Sequence, residues 1–219
     1  MKRLLFGTLD IESPNRQKWV QWLEGVEESK WFWDDYRTCD MLPLMTKNGG
    51  VKLSDAEHRF EPGEDFIWTD ITPDFVKSYI ENHIFNWMGM RSRIIIIRTA
   101  PSKGNAIHID CSPHAFGTLQ HKFRIVLQGE TETLYFHTKE KDIEAPRTDK
   151  PFIMDGSWPH GMTNTSDKTK YTLCIGSPWS GSEKYPGLNK LLEAEESDLP
   201  KEIRHFFHPK YKDQNLDEN

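Results

Sequence analysis

Between residues 93 and 176 the sequence breaks into short apolar or alternating runs punctuated by turn residues, and this cadence limits the possible folds more than any other feature. Residues 93–99 hold the aliphatic run Ile94-Ile95-Ile96-Ile97, far short of the ~18 apolar residues of a membrane span and at most a buried strand. A turn rich in Pro, Gly and Asn leads into residues 106–110, and a polar loop carrying His114 and Gly117 follows. Residues 121–127 alternate, with Phe123, Ile125 and Leu127 against Arg124 and Val126, and end at Gln128-Gly129. Residues 133–137, 151–154 and 170–175 continue the series, with Asp155-Gly156 as a turn. Short strands with turns every ~8–12 residues predict a sandwich or barrel.

The flanking chain reads differently. Residues 1–10 alternate as a short strand. Ser13-Pro14 then starts a helix over residues 14–29, a hydroxyl cap followed by proline at the first helical position. Trp19, Trp22, Leu23 and Val26 make its stripe, which serves core packing. Residues 31–70 predict mostly irregular connections, with aromatics at Trp31-Phe32-Trp33-Asp34-Asp35-Tyr36 and turns at Lys47-Asn48-Gly49-Gly50 and Glu61-Pro62-Gly63-Glu64-Asp65. Phe75, Val76, Tyr79, Ile80, Ile84 and Trp87 mark a second helix over 73–88, with His83 on its stripe as a packed core histidine. Residues 186–196 predict a C-terminal helix, and the tail from Lys210 frays, with Leu216 able to dock. The expected organisation is one domain over 1–219: a helical or irregular N-terminal layer and lid (1–92), a β core (93–180), and a C-terminal helix and tail (181–219).

Composition narrows the function classes. Net charge is −6 without a basic cluster, which argues against a nucleic-acid partner. There is no apolar run long enough for a membrane span, and the N-terminus turns polar too early for a signal peptide. Three cysteines, Cys39, Cys111 and Cys174, have no metal-binding spacing and suit a reducing, cytoplasmic setting. A chain of 219 residues can bury a large core, and its eight tryptophans can fill that core or line an apolar pocket.

The chemistry centres on His108-Ile109-Asp110. Residues i and i+2 of a strand point to one face, so His108 and Asp110 can reach one metal from a rigid base. With nine histidines and sixteen aspartates, chance supplies roughly 0.7 such pairs, so the spacing alone decides little. Context adds to it. His160 sits in a turn before a strand, 50 residues beyond Asp110. Lys170 and Thr172 share one face of that strand, a cation and a hydroxyl suited to a carboxylate. Arg124, in an apolar run, predicts an anionic partner if buried. Two imidazoles and a carboxylate can hold Fe(II) on one face and leave the remaining positions open. His114 and His121 read as solvated or structural; Trp158 and the 31–36 aromatics are candidates for an apolar wall.

The run from His108-Ile109-Asp110 through His121-Lys122-Phe123-Arg124-Ile125-Val126-Leu127-Gln128, Leu134-Tyr135-Phe136-His137 and Phe152-Ile153-Met154-Asp155-Gly156 to His160-Gly161-Met162-Thr163-Asn164 and Lys170-Tyr171-Thr172-Leu173 resembles the Fe(II)/2-oxoglutarate-dependent oxygenases. Within them it is most similar to the proline 3-hydroxylase and aspartyl/asparaginyl β-hydroxylase branch, over about a third of the chain. The resemblance implies a mainly β fold with flanking helices (α+β) and a double-stranded β-helix core, the jelly roll of cupins. It implies His108, Asp110 and His160 as iron ligands. Lys170, where the branch usually carries Arg, would grip the distal carboxylate of 2-oxoglutarate with Thr172. Arg124 and His137 would lie near the cosubstrate's metal-binding end. The implied activity uses Fe(II), 2-oxoglutarate and O2 to hydroxylate an unactivated C–H of an amino acid or peptidyl residue, releasing succinate and CO2. Two rivals share the triad: a cupin-like hydrolase or isomerase with another metal, since the donors also suit Zn2+, and a non-catalytic barrel binding a small acid or sugar.

Overall fold

In chain order, a computed structural model places β1 (Lys2–Thr8), α1 (Arg16–Glu24), β2 (Phe32–Asp34), β3 (Cys39–Lys47), β4 (Phe66–Trp68) and α2 (Asp74–Ile80) ahead of the β-rich stretch. That stretch contains β5 (Ile94–Thr99), β6 (Gly104–His108), β7 (His121–Gln128), β8 (Leu134–His137), β9 (Asp142–Glu144), β10 (Phe152–Asp155), β11 (His160–Thr163) and β12 (Lys170–Trp179), followed by β13 (Asn189–Glu195). The structure describes residues 1–35, 37–51, 66–89, 91–113, 120–179, 184–211 and 213. Among these, no helix is long and apolar enough to cross a membrane.

Among the described residues two sheets form, and every strand pair within them is antiparallel. The large sheet runs β13-β1-β10-β7-β12-β5-β3-β2, with β4 also on β3; the small one runs β6-β11-β8-β9. From β5 to β12 the chain passes back and forth between them: large, small, large, two in the small, large, small, large. That alternation winds the two sheets together as a double-stranded β-helix, the jelly roll.

Strand periodicity divides the large sheet's side chains. Phe123, Ile125, Leu127, Ile94, Ile96 and Leu173 face an outer core covered by α1 and α2, where Trp19 meets Tyr79 at 5.7 Å between ring centroids. Lys122, Arg124, Val126, Ile95 and Ile97 face the other way, towards the small sheet. The four-isoleucine run is continuous because both faces of β5 are covered. Fully burying each apolar side chain of the outer core contributes about 1.5–3 kcal/mol, so the helices that cover it bear directly on stability.

Four expectations change. Residues 186–196 form strand β13, not a helix: β1 presents an edge, and the pairing Lys2↔Glu195 to Thr8↔Asn189 overrides the helical spacing of the leucines. Within 31–70, Cys39–Lys47 is a nine-residue, mostly buried strand. Its Pro43 masks the pattern; lacking an N–H, it sits at a register shift against β5. The region 1–92 is therefore not an added layer, because β1 and β3 are built into the large sheet. α1 begins at Arg16 with Asn15, not Ser13, as its cap; Asn15 Oδ1 accepts from the Lys18 amide at 3.1 Å. The second helix runs as expected, Asp74–Ile80 continuing through a π turn (Glu81–Phe85) to Asn86–Met88. His83 is only half-buried, stacked on Tyr79. The Glu61–Asp65 turn, Tyr36, His114, Gly117 and Leu216 lie outside the described residues.

Candidate metal centre

β6 and β11 are neighbours in the small sheet, and their register sets His160 directly opposite His108. The two rings lie 4.6 Å apart between centroids, and both side chains are buried. Asp110 follows two residues after His108, its amide donating to the Gly156 carbonyl at 2.8 Å. The donor atoms of His108, Asp110 and His160 all fall within 4.8 Å of one another.

The protonation pattern of this cluster is informative. His108 Nδ1 bonds the Ala106 carbonyl and His160 Nδ1 bonds the Trp158 carbonyl, each at 2.8 Å. A carbonyl only accepts, so each Nδ1 carries the proton and each Nε2 presents a lone pair. Burial holds the His108 imidazole down at about 4, against the upward pull of Asp110, so it is neutral near pH 7. The Nε2 atoms lie 3.3 and 3.5 Å from the Asp110 oxygens, and His160 Nε2 is buried without a hydrogen-bond partner. Two lone pairs and a carboxylate converging in a dry site repel one another, and a cation between them removes the conflict. The donor set therefore fits a divalent metal.

Asp110 is held as an anion from behind. Burial alone would raise its pKa, but the Lys122 ammonium overcomes this and keeps it well below the usual carboxylate range. Lys122 Nζ lies 2.9 Å and Arg124 Nη2 3.1 Å from Asp110 Oδ2. Both cations come from the inward face of β7. Gly156 leaves room for them: a Cβ there would sit 3.1 Å from Lys122 Cε and 3.3 Å from Asp110 Cβ.

Two further elements brace the ligands. Arg3 of β1 reaches buried Asp155 with Nη2 2.6 Å and Nε 3.1 Å from Oδ2. Asp155 Oδ1 in turn accepts from the Ser157 amide and hydroxyl and from the Trp158 amide, which fixes the turn leading into His160. On the other side, the Ile109 amide donates to the Phe206 carbonyl at 2.8 Å, and Ile109 packs with Cys111, Phe207 and Tyr211. A C-terminal segment thus backs the strand that carries His108 and Asp110.

The triad lines a narrow cavity between the sheets. Its apolar wall includes Met41, Ile95, Ile97 and Leu134; its polar wall adds Arg37, Arg93, Arg124, Asn105 and Thr172.

No protein-family model matches this chain, and no curated protein matches it. Among solved structures, an oxidoreductase of the 2OG-Fe(II) oxygenase family from Burkholderia pseudomallei is similar at 11% identity, over 78% of this chain and 82% of that one, with a TM-score of 0.46. A prolyl-4-hydroxylase from Pseudomonas putida is similar at 10% identity over 76% and 86%, TM-score 0.42. Drosophila melanogaster CENP-C bound to CAL1 is similar at 14% identity over 74% and 94%, TM-score 0.35. The fold assignment rests on the strand order above.

Of the residues singled out from sequence, the structure brings His108, Asp110, His160, Arg124 and Thr172 to one cavity. Lys170 shares the inward face of β12 with Thr172 but lies behind the wall, donating to the Glu130 carbonyl at 2.6 Å and to the Thr133 hydroxyl. Burial, and then repulsion from Arg124, push its ammonium down to about 7. His137 is not brought in: it alternates with Phe136 along β8, and its Nδ1 lies 2.7 Å from Asp142 Oδ1. Trp158 is fully buried in the core between the sheets, with Nε1 donating to the His137 carbonyl, and does not line the cavity. Trp31 packs on the outer face and Trp33 is exposed. His121 is structural, held between the Tyr185 hydroxyl and the Leu4 carbonyl. Sequence inspection missed Arg37, Arg93, Asn105 and Lys122. Lys122 had a signal, since it alternates with Phe123 in step with Arg124; Arg37, on the turn before β3, had none.

Proposed function

We propose that this chain is an Fe(II)- and 2-oxoglutarate-dependent oxygenase that hydroxylates an amino acid or a peptidyl residue. The observation that carries this reading is the convergence of two imidazole lone pairs and the Asp110 carboxylate at the head of an arginine-walled cavity. His108, Asp110 and His160 would hold the metal. Bound together there, Fe(II), 2-oxoglutarate and O2 supply an oxidant for an unactivated C–H, with succinate and CO2 as coproducts.

The chain's own residues supply the setting. Arg124, beside Asp110, suits the chelating end of the cosubstrate, while Thr172, on the inward face of β12, suits its distal carboxylate. The Nδ1–carbonyl bonds hold both imidazoles in the ligating tautomer. Lys122 and Arg124 occupy Asp110 Oδ2 and leave Oδ1 as its freer donor. The buried apolar wall keeps bulk water away from the triad.

Anaerobic titration of the apoprotein with Fe(II) and 2-oxoglutarate tests this. A weak visible charge-transfer band, lost in His160→Ala and weakened in Thr172→Val, is the expected result. Absence of the band together with tight Zn2+ binding would sink the oxygenase in favour of a metal-dependent hydrolase or isomerase.

A further inference from the structure

Arg37 lines the cavity without a part in the roles above. Arg37 sits on the turn between β2 and β3, outside the strands that carry the triad, and its side chain is 11% exposed. Asp34 anchors it on one side, Oδ2 lying 2.7 Å from Nη1 and Oδ1 accepting the Arg37 amide at 3.0 Å. That leaves Nη2, which is buried, without a hydrogen-bond partner and on the cavity wall. Asp110 Oδ1 is 3.7 Å from it, beyond hydrogen-bond range. Asp110 does not need it, because Lys122 and Arg124 already occupy Oδ2.

A second unsatisfied atom lies beside it. The Thr38 hydroxyl donates to the Gly104 carbonyl, which brings the Arg37 turn against the start of β6. Asn105, next on that strand, lines the same cavity with its Oδ1 buried and without a partner. A donor nitrogen and an acceptor oxygen thus face the same cavity from adjoining chain segments. Unpaired buried groups of this kind cost stability unless a ligand completes them.

We infer that the molecule oxidised is a small free acid, its carboxylate gripped by Arg37 and an amine or hydroxyl next to that carboxylate bonded to Asn105. This rests on the oxygenase reading and narrows it, because a carboxylate consumed in a peptide bond would leave Arg37 unpaired. A guanidinium anchored by Asp34 is preorganised for such an anion, and its charge favours a carboxylate over a neutral amide.

The test uses the intact chain loaded with Zn2+, with and without 2-oxoglutarate, and follows thermal stabilisation. The probes are the protein amino acids, their α-hydroxy analogues and their carboxamides. At least one free acid should bind, with its carboxamide weaker by ~30-fold or more, the loss expected when a buried charge partner is removed. Arg37→Gln should weaken that acid by a similar factor and abolish the acid–amide preference, with 2-oxoglutarate affinity within about threefold of wild type. Arg37→Lys, keeping charge without the fork, should recover part of the loss and show that the effect is not misfolding. Asn105→Ala should weaken the acid and leave its preference over the amide. Amino and hydroxy acids compared at matched side chains identify which donor Asn105 takes. The inference is overturned if no free acid binds, if acid and amide bind alike, or if Arg37→Gln weakens 2-oxoglutarate as much as the acid. Arg37-dependent acid binding without any 2-oxoglutarate binding would retain this site and remove the oxygenase reading.

Discussion

Replacing Arg3 by Met probes how the first strand supports a histidine more than 150 residues away. Arg3 is 8% exposed and Asp155 fully buried, and the guanidinium gives Asp155 Oδ2 two hydrogen bonds and the Ser157 hydroxyl a third. Arg3→Met leaves that oxygen charged, dry and without a donor, while Oδ1 keeps its three bonds from the turn. Breaking a buried pair in this way costs roughly 3–5 kcal/mol. For a chain of this size each kcal/mol moves the midpoint by about 2–4 °C, so thermal unfolding should shift down by about 6–20 °C. The loosened turn carries the Trp158 carbonyl that orients His160, so Zn2+ affinity measured by chelator competition should fall by roughly 10–100-fold. The double replacement Arg3→Met with Asp155→Asn removes the stranded charge and should recover most of the stability. A single-mutant loss under about 1 kcal/mol, or a double mutant no better than the single, would refute the charge argument. The packing of Arg3 over Trp158, 5.3 Å from guanidinium carbon to ring centroid, would then be its main contribution.

Three other outcomes follow from the same geometry. Because the Lys170 pKa falls from 10.5 unfolded to about 7 folded, the unfolded chain binds more protons between those values; urea-measured stability should rise by about 2 kcal/mol from pH 7.5 to 9.5, and Lys170→Met should lack that increment. Gly156→Ala should weaken Zn2+ binding more than it lowers the unfolding midpoint, since the new methyl would press on Lys122 and Asp110; unchanged affinity would show that the lysine simply moves aside. Phe207→Ala should cost about 3–5 kcal/mol and also weaken Zn2+, whereas Leu23→Ala in the outer helical layer should cost ~2–5 kcal/mol with metal affinity retained; equal effects on the metal would deny the C-terminal segment its bracing role.

The core strands and the shared face of His108 and Asp110 were legible because they obey local rules. The 3.6-residue spacing marked both helices, and the i, i+2 spacing of His108 and Asp110 marked a shared face. What escaped was decided by partners distant in the chain. Asn189–Glu195 looks helical until β1 offers it an edge, and Cys39–Lys47 carries a proline that only a register shift against β5 accommodates. His137 misled because strand alternation sends it away from the face that Phe136 shares with His160. Arg37 had no local signal, since its place on the wall depends on a turn meeting the start of β6.

The cavity draws its donors and part of its wall from different stretches of chain. The triad belongs to the alternating strands between β5 and β12, whereas Arg37 and Met41 arrive on a hairpin joined to them edgewise through β5. An inherited change in that hairpin alters which molecules fit while the histidines keep the spacing their ladder imposes. The wall supplied by the hairpin and the histidine pair fixed by the small-sheet register are thus set by separate contacts.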